Sequence, residues 1–356
     1  MHKIIKNYLK TGAFEPFSKA VEIASPQELA EMIRDVVDTP ATSDNFAIAQ
    51  SLICFKGYSV LVSLVLFLSN KNDNDFKENT KTITDFIDNI DYDIFKQIVK
   101  HIGTIPEAIE HDSTAEKLYS KASDIVLARC FREMGLRARA LDERGDAADI
   151  VAESICGHGY SLVADAKCFR LSRTAKNQKD FKINNLAHWR GSDNDYAVLV
   201  SPFFQYPSKK SQIYSDSLDK EVCILGWEHI YTFLKFGLKE TEQSPIETIF
   251  KITQAISRDK SLAYKNRSVC FLDKVNFLIA KKLSISVTEL EKELCMFKTT
   301  IIVRGDQEIN FWQNEINKYK SFTREQAIDE LIKSKKLNEK IAVIRKYISN
   351  LQGIKI

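Results

Sequence analysis

The sequence predicts an α/β fold in which a small mixed β-sheet lies inside a largely helical protein. Runs rich in β-branched and apolar residues are confined to the middle of the chain, between about 149 and 225. Helical patterns with capping signals precede and follow that stretch. The chain has 356 residues, of which 44% are hydrophobic and 28% charged, which is typical of a globular protein with a sizeable core.

The chain up to about Ile105 is predicted to be helical. Ser25-Pro26-Gln27-Glu28 has the capping pattern of a helix start. The apolar run 58–68 is too short to span a membrane, so we expect a buried helix there. A polar break follows at 70–75, and Ser113-Thr114-Ala115-Glu116 opens a helix that ends near Gly135.

Two short β-rich runs, 149–154 and 160–167, surround the turn-forming residues Cys156-Gly157-His158-Gly159. They predict a hairpin. Further strands are expected at 196–200 and 222–225, where apolar residues on both faces indicate a covered sheet.

Helices are predicted around and after these later strands. A single helix from about Thr174 to Trp189 is expected to separate the second strand from the third. After Trp227 the pattern is again mostly helical and includes a capped helix start at Thr323-Arg324-Glu325-Gln326.

Charge and cysteine content limit the possible classes of protein. The 51 Lys and Arg residues nearly balance 48 Asp and Glu residues, so a nucleic-acid partner would need a local basic surface. Seven scattered cysteines without a CxxC pair indicate free thiols in a reducing cytoplasm rather than disulfides or a zinc site. The polar N-terminal residues do not match a secretion signal.

The hairpin brings two carboxylates into register. If Ser154 pairs with Tyr160, Asp149 falls opposite Asp165, and like charges placed there repel one another. A cation between them or a shared proton would relieve the repulsion. Two carboxylates plus water suit Mg²⁺, which could activate a water nucleophile, and Lys167 on the same strand face could orient that water. The alternative is a solvated hairpin with exposed ion pairs.

Asp149, followed after fifteen residues by Asp165-Ala166-Lys167, matches the motif of the PD-(D/E)xK nucleases. The longer block 161–182 and the segment Pro202-Phe203-Phe204-Gln205-Tyr206-Pro207 resemble the HindIII-type restriction endonucleases. So do Glu116-Lys117-Leu118 and Trp227-Glu228-His229, and the resemblance runs from about 102 to 229. Ala148 departs from the general motif, which has proline there.

The resemblance implies a restriction-endonuclease-like mixed β-sheet core flanked by helices. It places metal ligands at Asp149, Asp165 and the carbonyl of Ala166, and the catalytic lysine at Lys167. The expected domains are a helical N-terminal region (1–100), a nuclease core (101–245) and a helical C-terminal region (246–356) packed with the core.

The resemblance also implies the activity. It indicates a type II enzyme that uses Mg²⁺ and acts as a homodimer on double-stranded DNA, with no membrane partner. The implied site is AAGCTT, cut to leave 5′-phosphate ends on 5′-overhangs, and a cognate methyltransferase would be a separate protein. Two alternatives remain: a related nuclease of repair or junction resolution, and a non-catalytic DNA-binding protein of the same fold.

Two further acidic residues are candidates for the reaction centre. Nucleases of this type often take a glutamate from a helix before the motif strands, and Glu116 fits that position. Glu116 could equally complete a capping box with Ser113. Glu153 lies on the same strand face as Asp149.

A basic segment follows the motif, and we expect it to contact DNA. Basic side chains recur every third residue, and amides between them could bind adenine in the major groove. The candidates are Arg170, Arg173, Lys176, Asn177, Gln178, Lys179 and Lys182. The alternative is a solvated charged helix whose second half packs on the core.

Overall fold

The structure is a computed structural model that describes residues 58, 60–62, 64–69, 75–141, 147–173, 178–261, 263–334, 337, 340–342, 345 and 346. The helix start expected at Ser25 lies outside these residues. The chain divides into two compact units, Met1–Ile302 and Val303–Ile356, and the sheet belongs to the first. The expected domain boundaries at 100 and 245 stay predictions.

Helices precede the sheet, as predicted. Described residues between 58 and 69 are helical, and α1 (Phe76–Asn89), α2 (Tyr92–His101) and α3 (Thr114–Glu133) follow. Each of these three begins after an Asp or Ser whose side chain accepts main-chain N–H groups that lack a partner within the helix. The predicted burial of the apolar run is confirmed, since Leu61, Leu64 and Val65 are at most 1% exposed.

The sheet has five strands in sequential order: β1 (Leu136–Ala140), β2 (Ile150–Ser154), β3 (Ser161–Ala166), β4 (Tyr196–Ser201) and β5 (Val222–Gly226). β1, β2 and β3 pair antiparallel, and β4 and β5 extend the sheet in parallel. The predicted mixed sheet is therefore confirmed. α3 packs on β1 to β3, while the helix Ile183–Arg190 packs on β3 and β4.

The register of the β2–β3 hairpin is the one that the sequence predicts. Ile150 lies opposite Ala164, and the N–H of Ser154 donates to the carbonyl of Tyr160 at 2.9 Å. Continuing this register by one residue sets Asp149 opposite Asp165. The hairpin thus brings the two carboxylates together at the end of β3.

The prediction of one helix from Thr174 to Trp189 is wrong for its described residues, 178–189. Two helices occur instead, α4 (Gln178–Phe181) and α5 (Ile183–Arg190), separated by Lys182 at φ 47°. Phe181 and Ile183 are both buried, yet they would point about 200° apart on one continuous helix. The left-handed residue between them lets both side chains reach the core.

The remaining helices are α6 (Gln212–Lys220), before β5, and α7 (Trp227–Lys235), directly after it. Next come α8 (Glu247–Phe250), α9 (Ile252–Ser257), α10 (Tyr264–Val269), α11 (Phe271–Leu283), α12 (Val287–Lys320) and α13 (Arg324–Ser334). The predicted helical character is confirmed for this region. The side chains of Thr323 and Gln326 cap α13 as expected. Among the described helices, none has the length and apolar content to cross a bilayer.

Candidate active site

A cavity of about 440 Å³ opens where the middle of α3 faces the end of β3 and the start of β2. All the proposed metal ligands and the proposed catalytic lysine line it. The charged and main-chain groups that concern the reaction are those of Glu116, Lys121, Asp124, Asp149, Asp165, Ala166, Lys167 and Lys182. The fold therefore joins residues of α3, of the β2–β3 hairpin and of the turn at residue 182, which are distant in sequence.

Three carboxylates meet in this cavity. Asp124, Asp149 and Asp165 each have a carboxylate oxygen within 4.8 Å of those of the other two. Asp165 is 1% exposed and Asp124 is 6% exposed, while Asp149 is half-buried. Three negative charges cannot share so small a volume without a cation or a proton.

Asp124 is a member of this group that the sequence analysis missed. It lies eight residues after Glu116 on α3, and Ser120, halfway between them, also lines the cavity. Residues spaced four apart share one helix face. The sequence feature that could have indicated Asp124 is therefore an acidic residue on the same face of α3 as Glu116.

The electrostatics of the cavity favour a bound cation. Burial, reinforced by Asp149, raises the pKa of Asp165 to about 6 although Lys167 opposes the rise. Burial and then the charges of Asp149 and Asp165 raise the pKa of Asp124 well above its usual range. Apart from an ion pair with Lys167, the buried oxygens of Asp165 accept no hydrogen bond from the described residues. These oxygens fit a hard divalent cation, which prefers carboxylate ligands.

Lys167 is held at the end of β3 by its main chain as well as by its charge. Its N–H donates to the carbonyl of Val200 at 2.7 Å, and its own carbonyl accepts the indole N–H of Trp227 at 2.9 Å. Burial lowers the pKa of Lys167, but the charge of Asp165 more than offsets this and the pKa stands above its usual value. The side chain is therefore a cation at neutral pH.

Comparison with known proteins agrees with this geometry. The family model described as HindIII restriction endonuclease matches residues 59–348. The chain belongs to this family. The type II restriction enzyme HindIII of Haemophilus influenzae is 40% identical over 295 residues, which cover 83% of this chain and 97% of that enzyme. The predicted membership in a restriction endonuclease family is confirmed.

Within this HindIII-family site, Glu116 lines the cavity but is engaged at the start of α3. Its carboxylate accepts the N–H of Asp112 at 2.7 Å and pairs with Arg170 at 2.8 Å. Its main-chain N–H donates to the Ser113 hydroxyl at 3.1 Å. These contacts favour the helix-capping alternative, and a direct part in catalysis stays a prediction. Glu153 is exposed and pairs with Arg137 at 2.8 Å.

The basic segment of this HindIII-family chain divides into buried and exposed groups. Arg170 is 9% exposed and also donates to the carbonyl of Pro106, which favours a role in holding Glu116. Arg173 is exposed and pairs with Asp180 at 2.5 Å. Lys179 and Lys182 are exposed. The ammonium nitrogen of Lys182 lies 5.7 Å from the centre of the Trp189 ring.

Three of the predicted DNA contacts lie wholly or partly outside the described structure. Lys176 and Asn177 lie outside the described residues. Gln178 begins α4, but its side chain is not part of the described structure. Their role in DNA binding stays a prediction.

Proposed function

We propose that this protein is a type II restriction endonuclease that hydrolyses phosphodiester bonds of double-stranded DNA at a palindromic site. The observation that carries the proposal is the group of Asp124, Asp149 and Asp165 beside Lys167, with Asp124 and Asp165 buried, in a chain of the HindIII family. An exposed set of ion pairs on a solvated hairpin would not place a 1% exposed carboxylate in a cavity.

We propose Mg²⁺ as the cofactor, held by the carboxylates of Asp149 and Asp165 and by the carbonyl of Ala166. Asp124, whose side chain joins the same group, would be a further ligand or would hold a coordinated water. When bound, Mg²⁺ would lower the pKa of a water and withdraw charge from the phosphate. The bound cation would then offset the mutual repulsion of the carboxylates and the cost of burying their charges.

Lys167 is the proposed catalytic lysine. Its side chain is 15% exposed, lines the cavity and carries a charge, so its ammonium can donate a hydrogen bond to the attacking water or to a phosphoryl oxygen. The ion pair with Asp165 orients the ammonium of Lys167, and the hydrogen bonds to Val200 and from Trp227 hold the main chain of Lys167. Such positioning lowers the cost of organising the reacting groups.

DNA binding is proposed for the exposed side of the basic segment. Lys179 and Lys182 would contact phosphates near the cavity, since Lys182 lines it and Lys179 lies three residues before Lys182, on α4. Lys176 and Arg173 would extend this contact, and the amides of Asn177 and Gln178 are proposed to bind adenine edges. Arg170 could contact a phosphate only if its ion pair with Glu116 were broken.

The proposed recognition site is AAGCTT, cut to leave 5′-phosphate ends on 5′-overhangs. A homodimer related by a twofold axis would apply one Lys167 centre to each strand of that palindrome. A separate methyltransferase would protect the host sequence.

The test is digestion of mixed-sequence DNA by the purified chain with MgCl₂, followed by sequencing of the ends. We expect ends at AAGCTT only, the same stagger on both strands, and no cleavage in EDTA. Lys167→Ala should abolish cleavage while the duplex is still bound, because the lysine acts on the reacting groups and not on the sequence. Full activity of that variant would disprove the assignment of Lys167, and cutting elsewhere would disprove only the site.

A further inference from the structure

The second half of α12 exposes large apolar side chains along one face. This helix has 34 residues, and within the unit Val303–Ile356 it presents Ile309, Trp312, Ile316 and Tyr319. Their exposed fractions are 63%, 47%, 47% and 48%, respectively. Isolated exposed apolar residues are ordinary on a protein surface, but a contiguous row of large ones marks an interaction surface.

The spacing of the row identifies the kind of surface. Positions 309, 312, 316 and 319 are separated by three, four and three residues, which is the a–d–a–d repeat of a coiled coil. The face that points away from the row carries Asn310, Asn314 and Asn317, all exposed. The row is therefore a narrow apolar stripe of the width that one further helix would cover.

Charges along the stripe indicate a second copy of the same helix. In the heptad frame set by Ile309, Glu308 and Glu315 occupy the g positions, and Gln313 and Lys320 occupy the e positions. In a parallel pair a g residue faces the next e residue of the other helix, so Glu315 faces Lys320 of the second copy. An antiparallel pair would instead set like flanks against each other.

We propose that α12 forms a parallel, twofold-symmetric helix pair with α12 of a second copy through Ile309, Trp312, Ile316 and Tyr319. The proposal rests on the homodimer proposed above and assigns it a surface. A twofold axis relates identical patches, and a heptad stripe is complementary to itself in parallel orientation.

The first experiment measures the oligomeric state of the full-length chain by equilibrium sedimentation. We expect a dimer for the parent chain and for Asn314→Glu, which adds the same charge on the outer face of α12. Ile316→Glu should weaken the dimer by at least tenfold, because its charge would be buried in the seam. Tyr319→Glu provides a second variant if Ile316→Glu does not fold, as judged by circular dichroism.

The second experiment tests the orientation. In a Cys295→Ser background, which removes the exposed thiol of α12, oxidised Ile316→Cys should form a disulfide-linked dimer, since equal a positions face each other in a parallel pair. Asn314→Cys in that background and the background chain itself should not. A folded Ile316→Glu chain that stays dimeric would overturn the surface and leave the homodimer intact. A parent chain that is monomeric with and without AAGCTT duplex would overturn the homodimer itself. Cleavage assays on the same samples show separately whether the nuclease assignment stands.

Discussion

The indole N–H of Trp227 donates a hydrogen bond to the main-chain carbonyl of Lys167 at 2.9 Å. Trp227 is the first residue of α7, directly after β5, and is 2% exposed. A side chain on Gly103 would place its first carbon 2.7 Å from the indole ring, so a glycine there makes room for the indole. Through this contact the start of α7, which follows the edge strand β5, holds the main chain of Lys167 in place.

Trp227→Phe should therefore impair catalysis more than it impairs DNA binding. The substitution keeps an aromatic ring but removes the N–H, which leaves the Lys167 carbonyl without that donor. The main chain of Lys167 is then held less firmly, so we expect kcat to fall roughly tenfold or more, which corresponds to about 1.4 kcal/mol in the activation barrier, while KM changes little. Steady-state cleavage of a cognate duplex measures both constants.

Tyr206→Phe is a matched control for this prediction. The hydroxyl of Tyr206 donates to the carbonyl of Leu225 at 2.9 Å, so the control also loses one donor to a main-chain carbonyl. Tyr206 does not line the cavity. If both variants lose stability equally and neither loses kcat, Trp227 has no positioning role.

Asp124→Asn and Glu116→Gln should separate the two acidic residues that α3 directs at the cavity. Asp124 shares the carboxylate group with Asp149 and Asp165, whereas Glu116 is engaged with Asp112 and Arg170. We expect Asp124→Asn to lower kcat by about 10²-fold or more, and Glu116→Gln to lower stability while leaving most of the activity. The opposite order would restore Glu116 to the reaction centre and make Asp124 a buried structural acid.

The hairpin shows how far the sequence could predict this site. Strand alternation and the five-residue turn set the register that brings Asp149 to Asp165, because both are local properties of the chain. Lys167 follows from the same alternation. These parts of the site were predictable since all three residues belong to a single hairpin.

The missed parts depend on contacts between distant elements. β1 was not predicted because Leu136-Arg137-Ala138-Arg139-Ala140 has the composition of a helix, and pairing with β2 overrides that preference. Asp124 and Trp227 reach Asp165 and Lys167 only once α3 and α7 have packed on the sheet. The break at Lys182 likewise follows from the burial of both Phe181 and Ile183, which no periodic pattern in the sequence indicates.

Asp165→Asn should stabilise the metal-free protein at alkaline pH. Burial raises the pKa of Asp165 from 3.8 to about 6, so the stability contributed by this group is present below about pH 4 and lost as the pH rises through 6. In EDTA at pH 8 the variant should melt a few degrees above the parent chain, and the difference should shrink at pH 5. Added MgCl₂ should raise the melting temperature of the parent chain more than that of the variant.

The same variant tests the charge beside the phosphate. Without metal its affinity for DNA should hold or rise, because one negative charge is removed from the cavity. A steep loss of affinity in EDTA together with a lower melting temperature at every pH would mean that the carboxylate of Asp165 is structural.

Lys179→Ala should weaken binding to all duplexes about equally and flatten the dependence of log K on log salt by about one unit. The reason is that Lys179 is exposed three residues before Lys182, which lines the cavity, so Lys179 would meet a phosphate and not a base. Filter binding at several salt concentrations, on cognate and random duplexes, gives both slopes.

Lys220→Ala is the control for that measurement. Lys220 is also exposed at the end of a helix, but it precedes β5, whose first residue, Val222, pairs with Ala197 near the start of β4. Lys167 follows β3 at the other end of the parallel strands. Lys220 and Lys167 therefore lie at opposite ends of these strands. The Lys220 variant should keep the salt slope of the parent chain. Equal slopes for both variants would remove Lys179 from the phosphate contacts, and a loss confined to the cognate duplex would make it a base contact instead.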